Sequence, residues 1–169
     1  GYQDDSVVPD VLTMGKPMGN GHPISALLTN RRLVDSLDEA YGGSTYFNTF
    51  GGNPVSAAAA LTVLDILEQD KLIDQAKSVG NYLKSELEQA LRGVECVKEI
   101  RGKGLFLGIE LDEPSVAAET MENMMKEGVL VGKTGPKNNV IKLRPPMTFN
   151  SKHADFLVNK LSLCLEKTN

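Results

Sequence analysis

The stretch LTMGKPMGNGHPISALLT, residues 12–29, contains the features that decide the fold. Two short apolar runs, Val7–Met14 and Ile24–Thr29, enclose the segment MGKPMGNGHP, which has three glycines and two prolines in ten residues. Such runs predict short strands, although Pro9 excludes the first half of the earlier run from a central strand. The glycines and prolines between the runs predict a structured loop.

Lys16 is the residue of this loop that is best suited to chemistry. It follows the first predicted strand instead of lying on a helix face, and a lysine partly desolvated there can act as an amine nucleophile, as a Schiff base with a carbonyl cofactor requires. The alternative is an ordinary surface lysine. A phosphate-binding P-loop is excluded, because the pattern GxxxxGK[ST] does not occur. His22 is expected to be structural or to line a site.

Three helices are predicted next. Arg31–Ala40 has the composition of a short surface helix. A second helix begins with Asn53 as N-cap and Pro54 at the first helical position, and it is expected to be buried because it is apolar on most sides. Apolar residues then recur every three or four positions over Leu72–Ala90, which predicts an amphipathic helix that Gly93 ends.

Strands and helices alternate in the second half of the chain. The strand-like runs are Val94–Ile100, Leu105–Leu111, Gly128–Val131 and Val140–Arg144, and the helical segments are Ser115–Glu127 and Ser151–Leu165. RGKGLFLG, residues 101–108, departs from the dinucleotide pattern GxGxxG and predicts a turn into a strand, so a dinucleotide-binding oxidoreductase has little support. We predict an α/β fold with two domains, residues 1–70 and residues 71–169, the second an α+β unit that begins with the linking helix.

Two further segments could bind an anion. In STYFNTFGGNP, residues 44–54, the hydroxyls of Ser44, Thr45 and Thr49 lie beside a glycine pair that leads into a helix N-terminus, which suits a phosphate; the alternative is an ordinary loop capped by Asn53.

The second such segment is KLRPPM, residues 142–147. In a strand, Lys142 and Arg144 would point to the same side, as a patch for a carboxylate or phosphate or as the decoration of an exposed face. His153, at a helix start, is expected to be structural or exposed.

Composition narrows the function classes. The 169 residues are 41% hydrophobic and 24% charged, with a formal charge of −4, which argues against nucleic-acid and membrane-surface partners. The longest apolar run, about Val55–Leu67, is broken by polar residues and too short to span a bilayer. Cys96 and Cys164 have no CxxC partner, so we expect buried free thiols and no metal site.

The order of four segments resembles the class III aminotransferases, which use pyridoxal phosphate. They are LTMGKPMGNGHPISA, YFNTFGGNPVSAAAALTVLDIL, EIRGKGLFLGIEL and VIKLRPPMTF. The sequence is most similar to the alanine–glyoxylate aminotransferase 2-like branch, which includes ethanolamine-phosphate and phosphohydroxylysine phospho-lyases. The resemblance implies the C-terminal portion of a fold-type I transferase: the end of the large α/β domain, residues 1–70, and the small domain, residues 71–169.

The resemblance also implies roles for individual residues. Lys16 matches the lysine that forms the internal aldimine and then acts as general base and acid in transamination. Thr49 matches the threonine that reaches the cofactor phosphate of the neighbouring subunit, which implies a homodimer. Many family members have an arginine for the substrate carboxylate where this chain has Lys142, and the phospho-lyase branch has lysine there; Arg144 is the alternative cation. The implied substrate is therefore an amino acid or amine, or a phosphorylated amine that loses phosphate.

The alternative hypothesis is a protein without enzymatic activity, a structural or interaction module. In the family, the residues that hold the pyridine nitrogen, stack on the ring and form the main phosphate loop lie before the aldimine lysine, and fifteen residues precede Lys16 here. An inactive fragment without the upstream cofactor site is therefore the alternative to an enzyme. The compartment is expected to be the cytosol or the mitochondrion.

Overall fold

The computed structural model describes residues 2, 6–43 and 46–166 and divides into two compact units, residues 1–69 and residues 70–169. Within the described residues, no helix is both long and apolar enough to cross a membrane. The first unit contains strands β1 (Val11–Met14) and β2 (Ala26–Thr29), a 3₁₀ helix (Lys16–Gly19), and helices α1 (Arg31–Tyr41) and α2 (Pro54–Gln69). The second contains helices α3 (Leu72–Ala90), α4 (Pro114–Lys126) and α5 (Ser151–Glu166), and strands β3 (Val97–Lys103), β4 (Phe106–Leu111), β5 (Gly132–Thr134) and β6 (Val140–Leu143).

The first unit is built on the predicted pair of short strands. β1 and β2 are antiparallel, with Val11 opposite Thr29 and Met14 opposite Ala26. The loop between them contains the 3₁₀ helix, which packs against α2. The loop begins directly after β1, so Lys16 lies two residues beyond Met14, the last residue of that strand.

The start of α2 is as predicted, but its expected burial is wrong. The Asn53 side-chain oxygen accepts hydrogen bonds from the backbone N–H groups of Val55 and Ser56, at 2.9 and 3.1 Å. Within α2, only Ala60 is buried, while Leu61 and Leu64 are exposed. An apolar helix is buried only where other elements cover it, and among the described elements of this unit the 3₁₀ helix is the one that packs closely on α2.

The second unit is a four-stranded antiparallel sheet in the order β3-β4-β6-β5, with three helices over it. The core lies between the sheet and the helices, and alternate residues of β4 and β6 enter it, among them Ile109 and Ile141. Leu83 and Leu87 of α3 and Leu161 of α5 close the core from the helical side. The amphipathic pattern over α3 therefore predicts its buried face correctly.

Two predicted segments of this unit can be compared directly with the structure. The RGKGLFLG segment forms the β3–β4 hairpin, so the predicted turn into a strand is confirmed. The strand predicted over Gly128–Val131 is wrong, because β5 begins at Gly132. The ladder with β6, in which Gly132 lies opposite Lys142, sets the position of this strand, and the apolar run before it instead contributes Val129 and Val131 to the edge of the core.

Candidate functional site

Lys16 lies at the end of β1 in a strained conformation. Its φ angle is +51°, in the left-handed region that non-glycine residues rarely adopt. Two backbone hydrogen bonds span the turn around it, Met18 N–H to Gly15 C=O at 3.3 Å and Asn20 N–H to Pro17 C=O at 2.9 Å. A strained residue costs roughly 1–3 kcal/mol and persists where the surroundings determine it, which is a feature of functional sites.

Two contacts hold the loop that carries Lys16, one within the loop and one to α2. Gly19 is buried, and a β-carbon built there would lie 2.8 Å from Cγ2 of Ile24, so the close packing of the turn depends on glycine. The Nε2 atom of His22 lies 2.8 Å from the Ser56 hydroxyl, in the first turn of α2. His22 therefore has a structural role, which was one of its two expected roles.

The Lys16 side chain is exposed in the described part of the chain, so the expected partial desolvation is not seen there. Burial of a loop lysine requires other elements over the loop, and the contacts of this loop to another described helix are made with α2. The backbone geometry fixes the main chain at Lys16 and leaves its side chain uncovered.

Thr49 lies in a second turn that leads to the same end of α2. The Gly51 N–H donates to the Asn48 carbonyl at 3.0 Å, and the Phe50 N–H donates to the Asn48 side-chain oxygen at 2.9 Å, which places Thr49 at the tip. Thr49 is exposed. Ser44 and Thr45, the other two predicted hydroxyls, lie outside the described residues. The Thr49 turn and the Lys16 loop thus both reach the N-terminal end of α2.

Exposed aromatic residues surround Thr49 in the sequence. Tyr46, Phe47 and Phe50 are 78%, 87% and 82% exposed. Large aromatic side chains in such density on a surface indicate a contact with another surface. The sequence reading missed this feature because it considered only the hydroxyls and glycines of the segment.

Lys142 and Arg144 belong to the second unit. Lys142 is half-buried in β6, on the sheet face opposite the core, whereas Arg144 is exposed and follows the last residue of the strand. The prediction that both cations share one strand face requires a strand that reaches Arg144. Because β6 ends at Leu143, strand alternation does not place Arg144 on the face of Lys142. Arg144 instead lines a groove of about 460 Å³ with Phe149 and His153 among its other walls.

The other titratable residues with a sequence-based prediction are the two cysteines and His153. Cys96 and Cys164 are buried thiols that form no disulfide bond, as predicted, and burial raises the pKa of the Cys96 thiol. Over residues 2, 6–43 and 46–166, no group of three or more His, Cys, Asp or Glu residues could hold a metal ion. His153 has a structural role: its N–H donates to the Asn150 side chain at the start of α5, and its Nδ1 accepts from the Asn150 N–H.

The chain combines a unit of short strands and helices, which contains Lys16, with an α+β unit, and solved structures of a phospholyase and of an aminotransferase have the same fold. A phospholyase from Arthrobacter, solved in complex with phosphoethanolamine, matches it with a TM-score of 0.91 and 42% identity over 98% of this chain and 40% of that chain. The family model for class-III aminotransferases matches residues 1–165. The chain therefore belongs to the class-III aminotransferase family.

Two curated relatives agree with this assignment. The alanine–glyoxylate aminotransferase 2-like protein of Drosophila melanogaster is 40% identical over 173 residues, which cover 97% of this chain and 35% of that protein. The mitochondrial alanine–glyoxylate aminotransferase 2 homolog 2 of Arabidopsis thaliana is 41% identical over 175 residues, covering 99% and 36%. The chain thus spans little more than a third of the length of either relative, and the predicted resemblance to this branch is confirmed.

Proposed function

We propose that this protein is a pyridoxal-phosphate-dependent enzyme that acts on an amino acid or amine and uses Lys16 as its catalytic residue. Family membership supports the reaction class, and the conformation of Lys16 supports the residue. Residues 1–69 are then the end of the large, cofactor-binding domain, and residues 70–169 are the small domain. The single observation that carries the proposal is a lysine held at φ +51° on a fixed loop in a class-III aminotransferase.

The described residues fit this cofactor. Lys16 offers an exposed primary amine, the group that binds the cofactor aldehyde covalently. Thr49 offers an exposed hydroxyl in a turn that leads into a helix N-terminus, where a phosphate is favoured. When bound, pyridoxal phosphate supplies an electron sink for the bonds at the amine-bearing carbon of the substrate.

Thr49 also supports a homodimer. In this proposal its hydroxyl donates to the cofactor phosphate of the neighbouring subunit, so that each site needs both chains. The exposed Tyr46, Phe47 and Phe50 beside it are the residues that the second subunit would cover.

Lys16 then moves a proton. Its Nζ, as a free amine, takes the proton from the amine-bearing carbon of the substrate, and as an ammonium it returns a proton in the second half of the reaction. In transamination the substrate amine and an oxo-acid acceptor give an oxo product and a new amino acid, so the amino group of one is exchanged for the carbonyl oxygen of the other. In a phospho-lyase, a phosphorylated amine and one water give inorganic phosphate, ammonia and an aldehyde.

The phospho-lyase is the second candidate because of Lys142. Lysine is a compact point charge and does not make the bidentate pair with a carboxylate that arginine makes. The Arthrobacter relative, whose structure contains phosphoethanolamine, is also 42% identical to this chain. We propose Lys142 as the ligand of the substrate's anionic group, with Arg144 as the alternative cation.

The assignment of Lys16 is tested by reduction with borohydride. The whole protein is incubated with pyridoxal phosphate, reduced and digested, and the modified lysine is identified by mass spectrometry. We expect the label on Lys16 and its loss, together with the absorption band of the bound cofactor, in Lys16→Ala. A label that stays on another lysine in Lys16→Ala would show that the assignment is wrong.

The reaction type is tested by its products. The protein is supplied with phosphoethanolamine alone, and separately with L-alanine and an oxo-acid acceptor. Release of inorganic phosphate and ammonia in the first assay indicates the phospho-lyase, and formation of the new amino acid in the second indicates the transaminase.

For the location of this protein we propose the cytosol or the mitochondrion, since the Arabidopsis relative is named as mitochondrial.

A further inference from the structure

One row of residues crosses the sheet of the second unit on the face opposite the core. Cross-strand partners in antiparallel sheets share a face, and the register gives the row Arg101, Gly108, Lys142 and Gly132, from β3 through β4 and β6 to β5. Lys142 therefore has a glycine opposite it on each side. A side chain with two such neighbours has open space over the sheet in which to lie.

The two glycines are not equivalent. A β-carbon built at Gly132 would lie 3.3 Å from Cε and 3.9 Å from Nζ of Lys142, so the end of the lysine side chain rests on Gly132. A β-carbon built at Gly108 would instead meet Cγ1 of Val140 at 3.0 Å. The lysine therefore extends toward β5, over the glycine that leaves it room.

The charge of Lys142 is available to a ligand. Arg101, in the same row, is paired with the carboxylates of Glu110 and Glu99, and its hydrogen bonds to Glu110 and then Glu99 raise the pKa of the guanidinium. Among the residues that the structure describes, no carboxylate lies within ion-pair distance of Lys142. Of the two cations in the row, only Lys142 is thus without an acidic partner in the described residues.

We infer that Gly132 is a positioning residue, which sets the place of the Lys142 ammonium for the anionic group of the substrate. The inference rests on the proposed function of Lys142. Gly132 touches the lysine and not the substrate, and it acts by having no side chain. Its φ angle is outside the left-handed region, so a larger residue is tolerated by the backbone and changes the site mainly by moving Lys142.

The test compares KM with kcat in the whole protein with pyridoxal phosphate. Valine at position 132 suits a strand and fills the space under Cε. We expect Gly132→Val to raise the KM for phosphoethanolamine roughly tenfold, the effect of a weakened charge-assisted hydrogen bond, with kcat changed less than about twofold. Gly132→Ala, a smaller obstruction, should raise KM by about twofold on the same grounds.

A second measurement does not depend on catalysis. 2-Hydroxyethyl phosphate keeps the phosphate of phosphoethanolamine and lacks the amine, so its Kd by calorimetry should rise in parallel with KM. The same kinetics are then measured with L-alanine. If Lys142 binds a phosphate, the KM for phosphoethanolamine should rise in the variants; if it binds a carboxylate, the KM for L-alanine should rise. Thermal unfolding of each variant confirms that it is folded.

Gly108→Ala is the matched control, because Gly108 also lies opposite Lys142 but faces Val140. It should leave both KM and Kd unchanged. In a Lys142→Met background, Gly132→Val should have no further effect. Lys142→Met without effect on either substrate would overturn the proposed role of Lys142 and the inference with it. Two results would overturn the inference about Gly132 and leave the role of Lys142 intact. In the first, Lys142→Met raises KM but Gly132→Val does not. In the second, Gly132→Val still raises KM in the Lys142→Met background.

Discussion

The two units of the chain differ in how they bury their apolar residues. All members of the hydrophobic core cluster lie between Leu83 and Leu165, in the second unit. In the described part of the first unit, Ala60 is the only buried hydrophobic residue, while Leu61 and Leu64 of the same helix are more than half exposed. The second unit is therefore packed like an independent domain, and the first is not.

The same division separates the two candidate cofactor-binding residues from the packed core. Lys16 and Thr49 lie in the first unit, on turns fixed by backbone hydrogen bonds and by contacts to the start of α2. Turns of this kind run over the surface of a protein, where their side chains are accessible to a ligand. Substitutions in these two turns should consequently alter the candidate cofactor site more than the stability of the chain, whereas substitutions in the hydrophobic core of the second unit should do the reverse.

The largest effect is expected from a core leucine. Leu83→Ala removes a fully buried side chain from α3, and the cavity should lower the free energy of unfolding of the 169-residue chain by about 3–4 kcal/mol. Leu61→Ala is the matched change on α2 and should lower it by less than about 0.5 kcal/mol, because that leucine is 60% exposed. Urea unfolding measures both values. Equal losses would show that α2 is packed in the chain and would remove the contrast between the units.

A pair of glycines gives the next largest difference. A β-carbon at Gly80 of α3 would lie 2.2 Å from the carbonyl carbon and oxygen of Gly104, so Gly80→Ala must push helix and hairpin apart. We expect a loss of about 2–3 kcal/mol. At Gly15, beside Lys16, a β-carbon would be 3.7 Å from Ser25 Cβ, an ordinary contact, and Gly15→Ala should change stability by less than about 0.5 kcal/mol. A tolerated Gly80→Ala in the same urea titration would contradict the close packing of α3 on the hairpin.

Much of the fold could be predicted because it depends on local signals. Asn53 and Pro54 mark the start of α2, and the three- and four-residue spacing of apolar residues marks α3, whatever packs against them. Burial is not local: α2 has an apolar sequence on most sides but needs another surface to cover it. The run Gly128–Val131 failed as a strand for a related reason, since hydrogen bonding to β6 selects the residues that follow it.

The candidate site shows the same limit. The loop around Lys16 could be read from its glycines and prolines, but the left-handed φ of the lysine arises from the turn as a whole. Gly132 could not be found, because its relation to Lys142 is a matter of strand register and the two residues are ten positions apart. Sequence patterns thus predict which segments carry the chemistry, whereas the residues that orient them follow from tertiary structure.

Helix caps should make the two units alike. Asn53 caps α2 in the first unit, and Asn150 caps α5 in the second, where its side-chain oxygen accepts from His153 N–H at 3.2 Å. Because a cap works through local hydrogen bonds, Asn53→Ala and Asn150→Ala should each destabilise their helix by about 1 kcal/mol. Hydrogen exchange of the first-turn amides measures this loss in each helix. A cap effect confined to α5 would mean that the start of α2 is fixed by its contacts and not by Asn53. As a control, serine at either position should retain most of the protection of the first-turn amides, because serine also caps helices.

The smallest effect is a pH dependence that belongs to the second unit. The Tyr82 hydroxyl of α3 donates to Asp155 Oδ1 of α5 at 2.6 Å, and this hydrogen bond, followed by desolvation and the charges of Asp155 and Glu86, raises the pKa of Tyr82 from 10.0 to about 12. Since the raised pKa favours the neutral phenol in the folded state, its contribution is present below pH 10 and is lost as the pH rises through about 12.

The stability of the chain should therefore fall more steeply between pH 10 and 12 than that of Tyr82→Phe, which has no proton to lose there. Asp155→Asn keeps a hydrogen-bond acceptor without the charge, so it should show an intermediate slope. Urea unfolding at a series of pH values measures all three. Because Tyr82 remains partly exposed and solvent weakens the interaction, the difference should be small, and parallel slopes for the three proteins would show that the α3–α5 contact contributes packing but no electrostatic stabilisation.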